Sequence, residues 1–424
     1  MRIRRDLLLF RDSETLVFRV ATACALLHAL DDAFLNRQPG VPFGQHALAA
    51  AIAVVVGGAA FIAFPLLRPG LRAAVAFVFG VLATINGAMH AVHIAKDGAA
   101  HSDLTGALAL AAGIVLLAVG LWIPWRHRGE GAQTARRRWI NRAIAVLAGF
   151  VVLYAGLYPT ALAVVPTHKY REPIPAPPTG YESVEFEAAD GLQLSGWYAP
   201  SRNGAAVVLV HGGGGDRTGP LDHAQLLRRH GYGVLLYDAR GRGESEGTPN
   251  AWGWGWERDV EGALDFLDAR RDVDDGRIGG LGLSTGADVL IHVAAEHKAL
   301  RAVVSDGATA ASFADQTATF GYDEATPYFW TLLMAGRVLS GYSPGPPLEE
   351  RVPQVSPTPL FLIAAGGFPT EIDFNRHYAD VAQEPFTYWE LPAVGHTAAV
   401  RERPQPYELR VIAFFDEALR ARRW

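Results

Sequence analysis

The pattern of apolar and polar positions divides this chain into two unlike halves. Before Tyr181, long runs of Ala, Val, Leu and Gly are separated by bunched charges. Five runs stand out, at 14–36, 45–67, 71–95, 103–125 and 139–165. A bilayer-spanning helix needs about 20 mostly apolar residues, and the middle three meet this well. The first is weaker, because Arg19 and Asp31-Asp32 leave a short clean stretch; a buried soluble helix is its alternative. After Tyr181 the period changes. Segments 182–188 and 192–199 alternate around Ala189-Asp190-Gly191, which predicts a hairpin with an Asp-Gly turn. Short apolar runs at 205–210, 232–237, 277–283, 302–305, 359–364 and 386–391 then read as buried strands. Helical patterns fall between and after them, at 217–230, 256–270, 287–297, 374–383 and 406–422. Such alternation predicts a mostly parallel sheet with helices on both faces, the hairpin forming its antiparallel edge.

The expected organisation is therefore a helical membrane domain over 1–165, a linker over 166–180 and an α/β domain over 181–424. Pro173, Pro175, Pro177 and Pro178 make the linker a stiff spacer. Charge changes the picture in one place. Arg2, Arg4, Arg5 and Arg11 precede the first run, Arg68 and Arg72 separate the second and third, and Arg126, Arg128, Arg136, Arg137, Arg138 and Arg142 separate the last two. The alternate loops hold only Arg37 and Lys96. Basic loops stay in the cytoplasm, so five crossings put the second domain outside; four reverse that. The net charge of −5 over 424 residues argues for no nucleic-acid partner. Cys24 is the only cysteine, so no intrachain disulfide forms.

Candidate chemistry lies in the second half. Gly282-Leu283-Ser284-Thr285-Gly286 is a G-x-S-x-G between a strand and a helix, the setting of a nucleophile elbow. Upstream, a strand ends in His211-Gly212-Gly213-Gly214-Gly215, and the next in Asp238-Ala239-Arg240-Gly241-Arg242-Gly243-Glu244-Ser245. The last strand is followed by Gly395-His396. The order Ser, acid, His is that of the α/β-hydrolase arrangement. On these motifs the segment from Tyr181 onward resembles the α/β-hydrolase superfamily, and within it the dienelactone-hydrolase and serine-aminopeptidase-like branches.

That resemblance implies roles. Ser284 is the expected nucleophile and His396 its base. The family places an aspartate just after the penultimate strand, but Phe368 and Pro369 stand there. Glu371 is the nearest carboxylate, with Asp373 and Asp306 as alternatives. The oxyanion is expected on the amide of Thr285 and on that of Gly213 or Gly212. His211 is expected to buttress its turn, and Asp238 and Arg240 to be scaffold. Trp252, Trp254, Phe329 and Trp330 are candidate substrate contacts, with packing as the plain alternative for the tryptophans. Residues 307–358 form an aromatic insertion, a candidate lid whose proline-rich second part is expected to be irregular. No cofactor or metal is implied.

In the first half, His28 shares a helical face with Asp31 and Asp32, and Asn86 with His90 and His93. A bound metal or a proton relay are two readings; interhelical hydrogen bonding is the simpler one. The function expected is a membrane-anchored serine esterase acting on a small or lipid-like ester, with the bilayer as its other partner. Peptide hydrolysis and acyl transfer use the same groups, and the displaced acid leaves room for an inactive sensor.

Overall fold

The structure is a computed structural model that describes residues 13–35, 43–97, 103–126, 149, 151, 153–167, 173–274, 276–323, 325–368 and 370–420. The chain divides into two compact units, Met1–Ala161 and Leu162–Trp424.

In the first unit, the apolar runs fold as helices α1 (Ser13–Phe34), α2 (Phe43–Ala63), α3 (Pro69–Asp97) and α4 (Asp103–Arg126). Of the fifth run, 139–148, 150 and 152 lie outside the described residues; a π-turn, Leu153–Leu157, leads into α5 (Tyr158–Thr167), whose residues from Leu162 onward belong to the second unit. Among the described residues three stretches are long and apolar enough to cross a membrane: Ser13–Asp31, Pro69–Ala88 and Thr105–Arg126. The first run is therefore long enough despite its charges, whereas the second offers only the shorter apolar helix Ala53–Leu66. Helices α3 and α4 meet along a glycine seam. A methyl group on Gly80 would lie 2.7 Å from the Leu117 amide nitrogen, and one on Gly120 3.0 Å from that of Phe77. Small residues let backbones approach where no hydrophobic drive separates helix from lipid. The buried polar groups bridge helices. His28 is within hydrogen-bond distance of Thr105 Oγ1 (3.1 Å) and Asn86 Oδ1 (3.3 Å), and Thr105 donates to Asp31 at 2.6 Å. That is the interhelical bonding of the simpler reading. The side chains of Asp32, His90 and His93 lie outside the described residues.

In the second unit eight strands form one sheet: β1 (Glu182–Glu187), β2 (Gln193–Ala199), β3 (Ala206–Val210), β4 (Gly233–Tyr237), β5 (Ile278–Leu283), β6 (Val303–Asp306), β7 (Leu360–Ala365) and β8 (Phe386–Leu391). Their order is β1-β2-β4-β3-β5-β6-β7-β8. Among the described residues only the pairs β1–β2 and β2–β4 are antiparallel. Strands β3 to β7 are buried on both faces, as continuous apolar runs in parallel sheets require. The two faces carry separate cores, Val208 and Val210 pointing into one, Val207 and Leu209 into the other. The helices are α6 (Leu221–Arg229), α7 (Glu257–Asp268), α8 (Thr285–Glu296), α9 (Phe313–Phe320), α10 (Thr326–Ser340), α11 (Leu348–Val355), α12 (Glu371–Val381), α13 (Ala399–Glu402) and α14 (Pro404–Ala418).

The second part of the insertion is not irregular throughout. Leu348, Val352 and Val355 recur at helical spacing, all are buried, and they hold α11 against the core despite Pro353. The insertion above the sheet is thus shorter than 307–358 and ends before α11.

Candidate active site

Strand β5 ends in a turn that forces Ser284 to φ 54°, ψ −122°, and α8 starts at the next residue. A non-glycine residue at positive φ is strained and is retained where the surroundings fix it. Here crowding does so: a methyl group on Gly282 would strike the Gly286 carbonyl, and one on Gly286 that of Val210. The Ser284 amide donates to the Asp306 carbonyl at 2.8 Å. The elbow is thereby tied to the end of β6, and Gly307, the next residue, lies against the His396 ring.

His396 Nδ1 is 2.6 Å from Glu371 Oε2. Glu371 opens α12 and is fully buried. Its other oxygen accepts the Ala365 amide of β7 at 2.6 Å, so strand and helix both hold the carboxylate. Asn375, one turn on, donates to the Glu371 and Ala308 carbonyls, fastening α12 to the chain after β6. The other carboxylates lie elsewhere. Asp373 points outward, 3.9 Å from Arg376. Asp306 is buried and accepts the Tyr407 hydroxyl at 2.9 Å.

The glycine turn lies beside the elbow. A methyl group on Gly212 would be 3.4 Å from Ser284 Cβ, whereas one on Gly213 would meet the Ala251 carbonyl and Thr285 Oγ1. Among the described residues, neither the Gly213 nor the Thr285 amide donates to another protein group. The Thr285 amide is unpaired because it starts a helix. His211 shapes the turn: Nδ1 donates to the Gly212 carbonyl at 2.7 Å, and Nε2 accepts the Ala239 amide at 3.1 Å. Burial lowers its pKa to about 4, so the ring is neutral and can do both.

The segment after β4 is scaffold. Asp238 accepts the Arg217 amide and guanidinium and the Glu244 amide. Arg240 joins Asp259 and Asp190. Of the tryptophans, Trp254 is a correction to the sequence reading. It is 2% exposed and its indole donates to the Ala311 carbonyl, so it packs inside, as the plain alternative has it. Trp252 stacks on it at 4.9 Å and abuts Gly336 of α10. Trp330 is 49% exposed and Phe329 half-buried on α10. One residue was seen in the sequence only as an obstacle: Phe368, 45% exposed, lies 5.6 Å from the His396 ring. No sequence signal pointed to that contact. Among the described residues no group of three or more His, Cys, Asp or Glu suits a metal.

The profile of the X-Pro dipeptidyl-peptidase (S15 family) matches residues 133–337. YfhR of Escherichia coli (strain K12) is 31% identical over 252 residues, covering 57% of this chain and 83% of YfhR. Rv2307c of Mycobacterium tuberculosis (strain H37Rv) is 30% identical over 246 residues, covering 57% and 77%. The thiohydrolase aneE of Aspergillus aculeatus is 31% identical over 199 residues, covering 44% and 60%. Among solved structures, the Pyrococcus furiosus esterase Pf2001 matches with a TM-score of 0.48 and 22% identity, covering 59% of this chain and all of that one. The chain belongs to the family of YfhR and Rv2307c, and it is an α/β hydrolase.

Proposed function

We propose that this protein is a membrane-anchored serine esterase in which Ser284, His396 and Glu371 form the catalytic triad. The observation that carries the reading is the 2.6 Å contact between His396 and a fully buried Glu371, combined with the strained elbow at Ser284. Ser284 Oγ attacks the substrate carbonyl carbon, and its proton passes to His396 Nε2. Glu371 holds Nδ1–H and stabilises the imidazolium that forms. The amides of Thr285 and Gly213 donate hydrogen bonds to the tetrahedral oxyanion. The intermediate collapses, the leaving alkoxide takes the proton from Nε2, and an acyl-Ser284 ester remains. Water, deprotonated by His396, then releases the acid. The thiohydrolase name of one relative supports acyl chemistry of this kind, since a thioester reacts through the same intermediate.

Apolar helices long enough to cross a bilayer support the anchor. The basic-loop pattern supports an extracytoplasmic hydrolase domain reached after five crossings. The insertion between β6 and α11 is the lid. Tyr322, Trp330 and Val338 on it are exposed, and such a surface favours amphiphilic esters with long acyl chains.

The test is labelling of the full-length protein with a fluorophosphonate, alongside turnover of p-nitrophenyl esters and of an X-Pro p-nitroanilide. Ser284 is expected to label, Ser284→Ala to abolish labelling, and the esters to turn over faster. Absence of labelling in a folded sample refutes the serine mechanism. Preferred cleavage of the anilide makes the enzyme a peptidase.

A further inference from the structure

Past the C-terminal end of α10 lies a cleft of about 550 Å³, within the size range of small-molecule sites. None of its lining residues belongs to the proposed triad or oxyanion site. Its walls come from α7 (Glu257 and Glu261), α8 (His292), the turn after α10 (Ser343) and α11 (Arg351). With a rise of about 1.5 Å per residue, His292 sits roughly 10 Å along α8 from Thr285.

Two polar groups in this cleft lack partners. His292 is 6% exposed, and among the described residues its ring makes no hydrogen bond. Arg351 Nε is buried and unbonded as well, although its terminal nitrogens pair with Glu296 and Gln354. An unsatisfied buried polar group costs about 1–3 kcal/mol, so the Arg351 Nε–H calls for a missing partner, and the unbonded His292 ring beside it can share that partner. What they lack is an acceptor, since Arg351 Nε–H can only donate and a neutral imidazole has one N–H to give.

The opposite charge stands on α7. Glu257 and Glu261 are four residues apart and share a helical face. Burial raises the Glu257 carboxyl above its ordinary range, a cost that a bound cation would offset. Glu261 meets His297 at 2.8 Å and retains a second oxygen. A simple anion in this cleft would face these carboxylates and Glu296; a simple cation would face Arg351 and Arg258.

We infer that the cleft binds a small zwitterion, an amino acid or dipeptide with free ends, its carboxylate on Arg351 and His292 and its ammonium on Glu257 and Glu261. The site is independent of ester hydrolysis. The turn that closes it follows the lid helix, and α8 begins at the nucleophile.

The experiment uses full-length Ser284→Ala protein in detergent, so that turnover plays no part. The twenty free amino acids and glycylglycine are titrated by calorimetry, each binder alongside its N-acetyl and amide forms. At least one zwitterion is expected to bind with a Kd below about 1 mM, and both capped forms at least tenfold more weakly. His292→Phe and Glu261→Gln are expected to weaken binding at least tenfold, and Asp373→Asn to leave it unchanged. Glu261, being partly exposed, provides the folded variant if His292→Phe does not fold. No binding in that range, equal binding of the capped forms, or binding unchanged in the cleft variants overturns the assignment.

Discussion

Glu371→Gln isolates the acid of the proposed triad. The replacement keeps shape and volume but leaves one acceptor where there were two. Both oxygens of Glu371 are in use, one by the Ala365 amide and one by His396 Nδ1, each at 2.6 Å. A glutamine serves one of them. If its oxygen stays on Ala365, its NH₂ faces Nδ1, and the imidazole must carry its proton on Nε2. That is the wrong tautomer for a base that takes a proton from Ser284. An equivalent change in a serine protease lowers kcat about 10⁴-fold with the geometry intact. A fall of 10³–10⁴ in kcat/KM is expected here, or about 4–5.5 kcal/mol of transition-state stabilisation. Stability should fall less, by about 1.5–3 kcal/mol for a lost hydrogen bond to a charged group. Asp373→Asn is the internal control, because its carboxylate points outward and should change kcat/KM less than about twofold. The assay is p-nitrophenyl acetate hydrolysis with circular dichroism to verify folding. If Glu371→Gln stays within tenfold of the parent while Asp306→Asn abolishes activity, the assignment of the acid is wrong.

Other expectations follow from separate features. Trp254→Ala should cost about 3–5 kcal/mol in urea unfolding, because it empties a buried site; Trp330→Ala should leave stability unchanged and raise KM only for long-chain esters. Burial holds His211 and His292 near 4, while in the unfolded chain histidine titrates near 6.5. Between these values the unfolded chain binds more protons, so stability is full above about pH 6.5 and falls as pH drops towards 4. The loss is about 2 kcal/mol per residue at pH 5, and urea unfolding of His292→Gln at pH 7 and pH 5 should show a correspondingly smaller drop. A reporter active only outside the cytoplasm, fused after Trp424, should be active; activity of a cytoplasm-only reporter there refutes the five-crossing topology.

What could be read in the sequence was local. The hairpin strands alternate polar and apolar residues, the later strands are short apolar runs bounded by turn residues, and every proposed strand appears within a residue or two of its expected place. The elbow was legible because its glycines, its serine and its flanking elements are contiguous. Glu371 was legible only as the first carboxylate after β7. What was hidden depended on residues far apart in the chain. Tyr407 occupies Asp306 from 101 positions away. Trp254 finds its acceptor, Ala311, across 57. The prolines of 344–359 concealed α11, whose apolar spacing outweighs Pro353. The cleft around His292 draws on four elements, and no single stretch of sequence announces it.

The acid of the proposed triad is held by the last residue of a strand and the first turn of a helix, and this divides labour along the chain. The connection over 366–370 carries neither the carboxylate nor its anchor. Gly366 and Gly367 are fixed by the backbone they touch, at Pro392 and Gly395, but Phe368 can change without disturbing the charge that orients His396, and the negative charge gains from the helix N-terminus it sits on. Phe368 is what such freedom permits: an apolar side chain against the His396 ring, where an acid on the loop itself would have excluded it. Relatives that share the strand, the two glycines and the helix start can then differ at the position of Phe368 while keeping the contact between His396 and Glu371.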